Sequence, residues 1–305
     1  MTMRRYTLRQ LDTFLEVARA ESVSKAAEKL HVTQPAVSTQ LRQLEDALGI
    51  ALVEANGRQI RLTAAGREVE QYAIAATSQL SQLDDVVEGL KGLQRGRINL
   101  GIVGTAKYFV PMLLVHFRKR FPGIEISLQI QNRDQIFNML ERNELDLAIT
   151  GRVPERLDCL SEAFATNPLG FVSAPEHPLS RRRQAPLSIF NDIDFVVREA
   201  GSGTRATMES IFQQNNISPR IVMEMPSNES IKQAVMAGMG LTFLSLRTVR
   251  HELAAGHLAL LDIQDTPILR HWRVAHLRTK KLAPAALGLK AFLISDGAAL
   301  INVWA

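Results

Sequence analysis

The chain has 305 residues, 46% hydrophobic and 22% charged, a length for two or three domains and the composition of a soluble globular protein. No apolar run approaches the length needed to cross a bilayer, and the N-terminal MTMRRYTLRQLDTF lacks the apolar core and cleavage site of a secretory signal, so a cytoplasmic address with no membrane partner is expected. The net charge of +5 suits a nucleic-acid partner, yet residues 1–63 hold nine Lys/Arg against seven Asp/Glu, so charge alone does not make that case.

Residues 1–63 read as short helices with tight connections. Leu8, Leu11, Leu15 and Ala18 fall on one helical stripe. Ser24 is placed to cap a second helix, Lys25–Leu30, and His31-Val32 turns the chain. Thr33 is placed to cap a third helix, in which Pro35 is tolerated because the first turn has no intrahelical donor to lose. Val37, Leu41, Leu44 and Leu48 form its inner face, and Gly49 ends it. Gln34, Ser38, Thr39 and Arg42 lie on its outer side. Short or forked side chains on an exposed helix suit base edges and phosphates in a major groove, though a solvated polar face on an ordinary helical bundle gives the same spacing. Two alternating runs, Ala51–Glu54 and Ile60–Thr63, flank Asn56-Gly57 and predict a hairpin, a wing whose Arg58 and Arg61 would lie near phosphates.

From the N-cap Thr63 a long helical pattern begins. Val69, Ala73, Ala76, Leu80, Leu83, Val87 and Leu90 alternate spacings of four and three. So narrow a seam suits pairing with a second helix, hence a homodimer, while packing against its own domain is the alternative. Gly92, Arg95 and Gly96 mark a flexible exit.

Beyond Arg97 strands alternate with helices. Strands are expected at Ile98–Ile102, Ile124–Ile130, Leu145–Ile149, Phe171–Ser173, Phe195–Val197 and Leu241–Leu244. Helices are expected at Phe109–Phe121, Phe137–Arg142, Ala206–Gln214 and Ser230–Ala237. That order predicts a parallel sheet with covered faces and a ligand at strand C-termini and helix starts. Thr105 and Lys107 follow one strand, Thr150, Gly151 and Arg152 another, and Ser202, Gly203, Thr204 and Arg205 a third. Such helix starts favour an anion, which the three basic residues could neutralise; a turn at Gly201 and Gly203 with the basic groups in water is the other reading. Glu199 and Glu229 are placed nearby as acceptors for a sugar hydroxyl. The six Lys/Arg of residues 267–295, unaccompanied by any acid, read as a solvated face or an oligomer contact before a second nucleic-acid contact.

The segment SVSKAAEKLHVTQPAVSTQLRQLEDALGIALVEANGRQIRLTAAG, Ser22 to Gly66, resembles the LysR-type transcriptional regulators, and the likeness extends over nearly the whole chain. It departs at Leu52-Val53-Glu54-Ala55, where the family commonly has Leu-Phe-Glu-Arg. The effector half is similar to the CbbR type, which controls Calvin-cycle operons, at Gly104–Pro111, Asp146–Arg152, Asn167–Leu179 and Arg198–Arg205. The resemblance implies a multidomain chain. An all-α winged helix-turn-helix domain (1–63) and a long linker helix for dimerisation (64–92) precede an α/β periplasmic-binding-protein-like effector domain (93–305). That domain would have two subdomains, 97–163 with 267–305 and 164–266, the chain crossing between them near Ala163 and Thr266.

The same resemblance implies DNA contacts at Ser24, Thr33, Gln34, Pro35, Ser38, Thr39, Arg42, Arg58 and Arg61. It implies effector contacts at Thr105, Ala106, Lys107, Thr150, Gly151, Arg152, Glu199, Ser202, Gly203, Thr204, Arg205 and Glu229. The expected function is a cytoplasmic, homotetrameric activator of carbon-fixation genes that binds promoter DNA and RNA polymerase. Its effector would be a phosphorylated sugar or acid or NADPH, with no cofactor and no metal. A LysR-type regulator of another pathway, sensing a carboxylate or a sulfur or nitrogen metabolite, is the alternative. A solute-binding transport component would need an export signal and no DNA head. An enzyme would need a convergent nucleophile and base or a metal cluster; the chain has no HExxH, no GxSxG, scattered histidines and a lone Cys159.

Overall fold

A computed structural model describes residues 6–56, 59–90 and 95–304, with the side chains of 56, 78, 81–90 and 304 outside that description. The chain divides into two compact units, Met1–Val87 with Arg142–Glu144 and Glu88–Glu141 with Leu145–Ala305.

The first unit packs α1 (Leu8–Ala20), α2 (Val23–Lys29) and α3 (Gln34–Leu48) around Phe14, Val17, Ala26, Val37, Leu44 and Leu52. Leu8 is exposed instead of joining the expected stripe, because Phe14 and Val17 turn the buried face of α1 away from it. Helix α2 starts earlier than expected, because Ser22, not Ser24, caps it: the Ser22 hydroxyl accepts from Lys25 N–H at 3.4 Å. Strands β1 (Val53–Asn56) and β2 (Gln59–Leu62) pair antiparallel from Val53↔Leu62 to Asn56↔Gln59. Helix α4 (Ala64–Leu90) is capped by the Thr63 hydroxyl, which accepts from Gly66 N–H at 2.9 Å. Of the expected seam, Val69, Ala73 and Ala76 pack on this unit's own core, while Leu80 is exposed; the side chains of Leu83, Val87 and Leu90, and Gly92 itself, lie outside the described residues.

The second unit is α/β. In chain order it holds β3 (Gly96–Val103), α5 (Val110–Arg120), β4 (Ile124–Gln131), α6 (Arg133–Glu141), β5 (Leu147–Thr150), β6 (Cys159–Ser173) and β7 (Asp194–Arg198). There follow α7 (Gly203–Gln214), β8 (Arg220–Met225), α8 (Asn228–Met236), β9 (Thr242–Ser245), α9 (Arg250–Ala254), β10 (Ala259–Leu260), β11 (Ile268–Leu277) and α10 (Pro284–Trp304). Gly96 belongs to β3, paired with Ile124, and is no part of a loose exit.

The sheet is mixed, in the order β10-β6-β11-β5-β3-β4 with β9 on β6. Strands β3, β4 and β5 run parallel, as expected; β6 and β11 run antiparallel to each other along almost their whole length. These two long strands join two lobes. Phe164, Ala165, Trp272 and Val274 lie in the core of lobe one with Ile98, Leu100 and Phe117; Leu169 and Phe171 lie in that of lobe two with Phe190, Phe195 and Phe243. The strands pass from one core to the other at 166–168 and 269–271, a few residues beyond Ala163 and Thr266.

Helix α10 is long and apolar enough by length and composition to span a bilayer, which the sequence reading did not expect: the mean hydropathy of Pro284–Val303 is 1.4. It serves as a core helix, burying Ala285, Leu289, Leu293 and Ile301 in lobe one. Half of the six Lys/Arg in the basic 267–295 segment are ion-paired within the fold. Lys290 meets Glu162 at 2.6 Å and Arg278 meets Asp158 at 2.7 Å. Lys280 is buried, 2.8 Å from Asp146, and donates to the Leu145 carbonyl at 2.8 Å. Removing one partner of such a pair strands the other's charge. Lys280→Ala is therefore expected to cost about 3 kcal/mol in urea unfolding of the protein; a loss within about 0.5 kcal/mol of zero, the range of ordinary surface substitutions, would contradict the assignment.

Candidate functional site

In the first unit α3 offers one outer face. Gln34, Ser38 and Arg42 recur every fourth residue and are exposed, as are Thr33, Pro35 and Thr39. Thr33 occupies the N-cap position without a side-chain cap bond, and Pro35 lies in the first turn. Ser24, freed from capping, accepts a hydrogen bond from the Gln34 amide across the helix pair. Arg61 is exposed on β2, while Arg58 lies outside the described residues. One residue the sequence reading passed over fixes the wing: the Glu45 carboxylate accepts from Leu52 N–H at 2.7 Å and Val53 N–H at 3.2 Å, tying the hairpin to α3. Half-buried Val53 takes the aromatic position of the family pattern and packs on the same core.

In the second unit a cleft of about 140 Å³ opens where β3, β4, β5 and β7 end at their C-termini. Thr105, Thr150, Gly151, Arg152, Ser202, Gly203 and Thr204 line it, as the sequence placed them. Helix α7 turns Gly203, Ala206, Thr207 and Ser210 toward the cleft, an i, i+3, i+4, i+7 face whose first turn has N–H groups without intrahelical acceptors. Arg205 lies off that face. It binds Glu209 at 2.7 Å, donates to the Arg198 carbonyl at 3.1 Å and reaches Glu224, stapling α7 to β8. Its hydrogen bonds to Glu209 and Glu224 hold the guanidinium pKa above its ordinary value.

Four other expected contacts do not line the cleft either. Ala106 is buried in the core of lobe one. The Lys107 ammonium lies 5.2 Å from the centre of the Tyr108 ring. Glu199 clamps Arg198, taking Nε at 2.8 Å and Nη2 at 2.9 Å. Glu229 accepts from the Tyr108 hydroxyl and meets Lys232 at 2.9 Å. In each case a neighbouring charge or an apolar core satisfies a side chain that the linear sequence left open.

The cleft walls missed by the sequence reading come mainly from the crossing strands: Asn167 and Leu169 on β6, Arg270 and Trp272 on β11. Two buried side-chain atoms here have no hydrogen-bond partner, the Thr150 hydroxyl and the Trp272 indole nitrogen. Asn167 spends its amide oxygen on the Ser245 hydroxyl at 2.7 Å, leaving its NH2 group as a donor. Each stranded donor costs about 1–3 kcal/mol until an acceptor meets it. The cationic side is graded. Buried Arg198 is satisfied by Glu199 and by Asn228 at 2.6 Å, and Arg133 by Asp134 at 3.1 Å. Arg152, exposed, meets Glu155 at 2.6 Å. Arg270 lines the cleft with no ion-pair partner among the described residues. The wall combines apolar Val103, Leu169 and Ala206 with hydrogen-bond donors and a small surplus of positive charge.

Comparison with known proteins accords with this geometry. The description "Bacterial regulatory helix-turn-helix protein, lysR family" matches residues 8–67, and "LysR substrate binding domain" matches residues 91–298. The chain belongs to the LysR family of transcriptional regulators. It is 42% identical over 292 residues, 96% of this chain and 97% of the other, to a RuBisCO operon transcriptional regulator of Allochromatium vinosum. It is 43% identical to the regulator CbbR of Rhodospirillum rubrum, covering 94% of this chain and 95% of the other. The regulatory domain of CcmR from Synechocystis PCC6803, solved in complex with 2-PG, shares 39% identity. It superposes with a TM-score of 0.64, covering 66% of this chain and 97% of that one. Full-length CbnR with its target DNA shows the same fold at 22% identity and a TM-score of 0.68, over 96% of this chain and all of that one. As a LysR regulator the chain binds DNA in a sequence-specific way under the control of a small molecule, and its family is one of regulators rather than enzymes.

The two lobes are joined by a hydrogen bond as well as by strands. Tyr108 follows β3 in lobe one, and its acceptor Glu229 opens α8 in lobe two. Burial, then the bond to Glu229 and its charge, push the phenol above its usual range, so it stays a donor at physiological pH. Lys232 holds Glu229 in turn and meets Glu252 at 2.8 Å. A hydrogen bond to a charged group contributes about 1.5–3 kcal/mol. Tyr108→Phe is expected to lower effector affinity by about tenfold in calorimetric titration, the low end of that range, while leaving effector-free operator affinity unchanged. Unaltered effector affinity would show that the bond does not hold the lobes.

Proposed function

We propose that this chain is a cytoplasmic, homotetrameric activator of carbon-fixation genes. It reads promoter DNA with Gln34, Ser38, Thr39 and Arg42, answers to a small phosphorylated acid in the cleft between its lobes, and passes the signal to RNA polymerase without a cofactor. The observation that carries the effector reading is that two residues with buried, unpartnered donors, the Thr150 hydroxyl and the Trp272 indole, line one cleft together with Asn167, Arg270 and the first turn of α7. Phosphate oxygens are strong acceptors and a helix start favours their charge. At about 140 Å³ the cleft lies below the usual range of ligand pockets, leaving room only for a small ligand and none for NADPH. The relative solved with 2-PG, 2-phosphoglycolate, supports the same ligand class here.

Effector binding moves the lobes only insofar as it prefers one arrangement. Ligand oxygens that meet β5 and β11 in lobe one and α7 in lobe two favour the arrangement that brings these elements together. Calorimetric titration of the full-length protein tests the reading. 2-Phosphoglycolate is expected to bind, and Thr150→Val and Trp272→Phe are each expected to weaken it by about tenfold, one charge-assisted hydrogen bond's worth. Operator affinity without effector should not change. Full affinity in both variants would refute the cleft assignment. For the DNA face, joint replacement Ser38→Ala and Arg42→Ala should shift operator protection in footprinting to at least about tenfold higher protein concentration and flatten the salt dependence by about one phosphate contact. Undiminished protection would remove α3 from the groove.

A further inference from the structure

Successive side chains of a strand point to opposite faces, and β6 therefore faces two cavities. Asn167 and Leu169 line the cleft just described. Pro168 lines a second cavity, of about 300 Å³, on the other side of the crossing strands. Its walls are apolar: Phe109 and Ile301 from lobe one, Leu246 from lobe two, and the ring of Tyr108. Its polar side is cationic, formed by Arg247 and Arg250 with His251 beside them. Arg247 is half-buried, and its hydrogen bonds go to neutral acceptors, the Thr166 carbonyl and the Asn302 amide oxygen, both at 3.3 Å. Burial and then the charge of Arg250 hold its pKa below the usual arginine range. A desolvated guanidinium with neutral partners and a like charge for a neighbour is stabilised by an added anion, and its planar fork matches a carboxylate.

We propose that this second cavity is a further regulatory site, one that takes a small carboxylate on an aromatic body, the ring lying among Phe109, Pro168 and Ile301 and the carboxylate meeting Arg247 and Arg250. The volume lies at the lower bound of ligand pockets, large enough for a single ring. The site is coupled to the first by direct contact. Phe109, a wall of the second cavity, packs against Trp272, a wall of the first, with ring centres 5.0 Å apart and the planes tilted by 56°. Tyr108, lining the second cavity, makes the hydrogen bond between the lobes. An occupant that shifts Phe109 or Tyr108 changes affinity in the cleft, and a cleft ligand changes affinity here by the same factor.

The probe is 4-fluorophenylacetate, titrated into the full-length protein and followed by fluorine NMR. Expected is saturable binding that Arg247→Met weakens at least about tenfold, as loss of a charge-assisted bidentate contact requires. Arg250→Met, on the exposed rim, should weaken it in the same direction, and the neutral 4-fluorophenylacetamide should show no saturation. In saturating 2-phosphoglycolate the probe should still bind, with its affinity shifted by at least about fivefold, the low end of allosteric coupling. Absence of saturation, indifference to both arginine substitutions, or equal binding of the amide overturns the site. Displacement by 2-phosphoglycolate also overturns it, since it would put the probe in the first cleft, and an unshifted affinity while calorimetry shows 2-phosphoglycolate bound overturns the coupling. The probe arms do not require 2-phosphoglycolate to bind, so failure here and failure of the effector reading are separable.

Discussion

The antiparallel pairing of β6 with β11 is the constraint on which the effector half depends. These two strands carry the chain out of lobe one and back into it, from Ile268↔Leu169 in one core to Leu277↔Cys159 in the other. Because their backbone groups bond to each other, the connection between lobes is a paired ribbon rather than two loose linkers. Its ladder has a register shift between Trp272 and Arg273, where β11 has just entered lobe one. Trp272, Arg270, Asn167 and Leu169 are thereby set in the wall between the lobes, and a ligand there touches the strands that join them.

The chemistry of that wall follows from what surrounds each side chain. Carboxylates that would repel an anion are already spent: Glu199 on Arg198, Asp134 on Arg133, Glu155 on Arg152. What is left toward the cleft is a set of donors on strand ends and one helix start. A donor set of this kind distinguishes an anion with several oxygens from an apolar metabolite, because only the former relieves the buried Thr150 and Trp272 groups. The DNA half works by the opposite logic. Its core is apolar, and on the exposed face of α3 the Gln34 amide donates to Ser24.

Local features were readable in the sequence and non-local ones were not. Helix α3 could be drawn from Thr33, Pro35, the Val37-Leu41-Leu44 spacing and Gly49, all within one stretch of chain. Thr105, Thr150, Ser202 and Thr204 could be placed because strand and helix ends carry their own signals. Strand β6 was expected only over Phe171–Ser173, because Pro168 and the polar run before it hide an alternation whose partner is about a hundred residues away. Arg205, Lys107 and Glu229 were misassigned to the cleft because their true partners, Glu224, the Tyr108 ring and Lys232, are settled by helix phase and packing. Trp272 did carry a signal: it sits in a period-two run, His271 to Val274, that marks a strand inside the basic segment.

The indole N–H of Trp272 offers the most direct measurement. The chain has two tryptophans, so selective 15N labelling gives two indole resonances, and Trp272→Phe assigns them. On titration with 2-phosphoglycolate the account predicts a large downfield shift of the Trp272 indole proton, saturating with the calorimetric binding curve, as its buried donor gains an anionic acceptor. Saturable binding with that resonance unmoved would show that the anion is held elsewhere and that the crossing strands do not form its site.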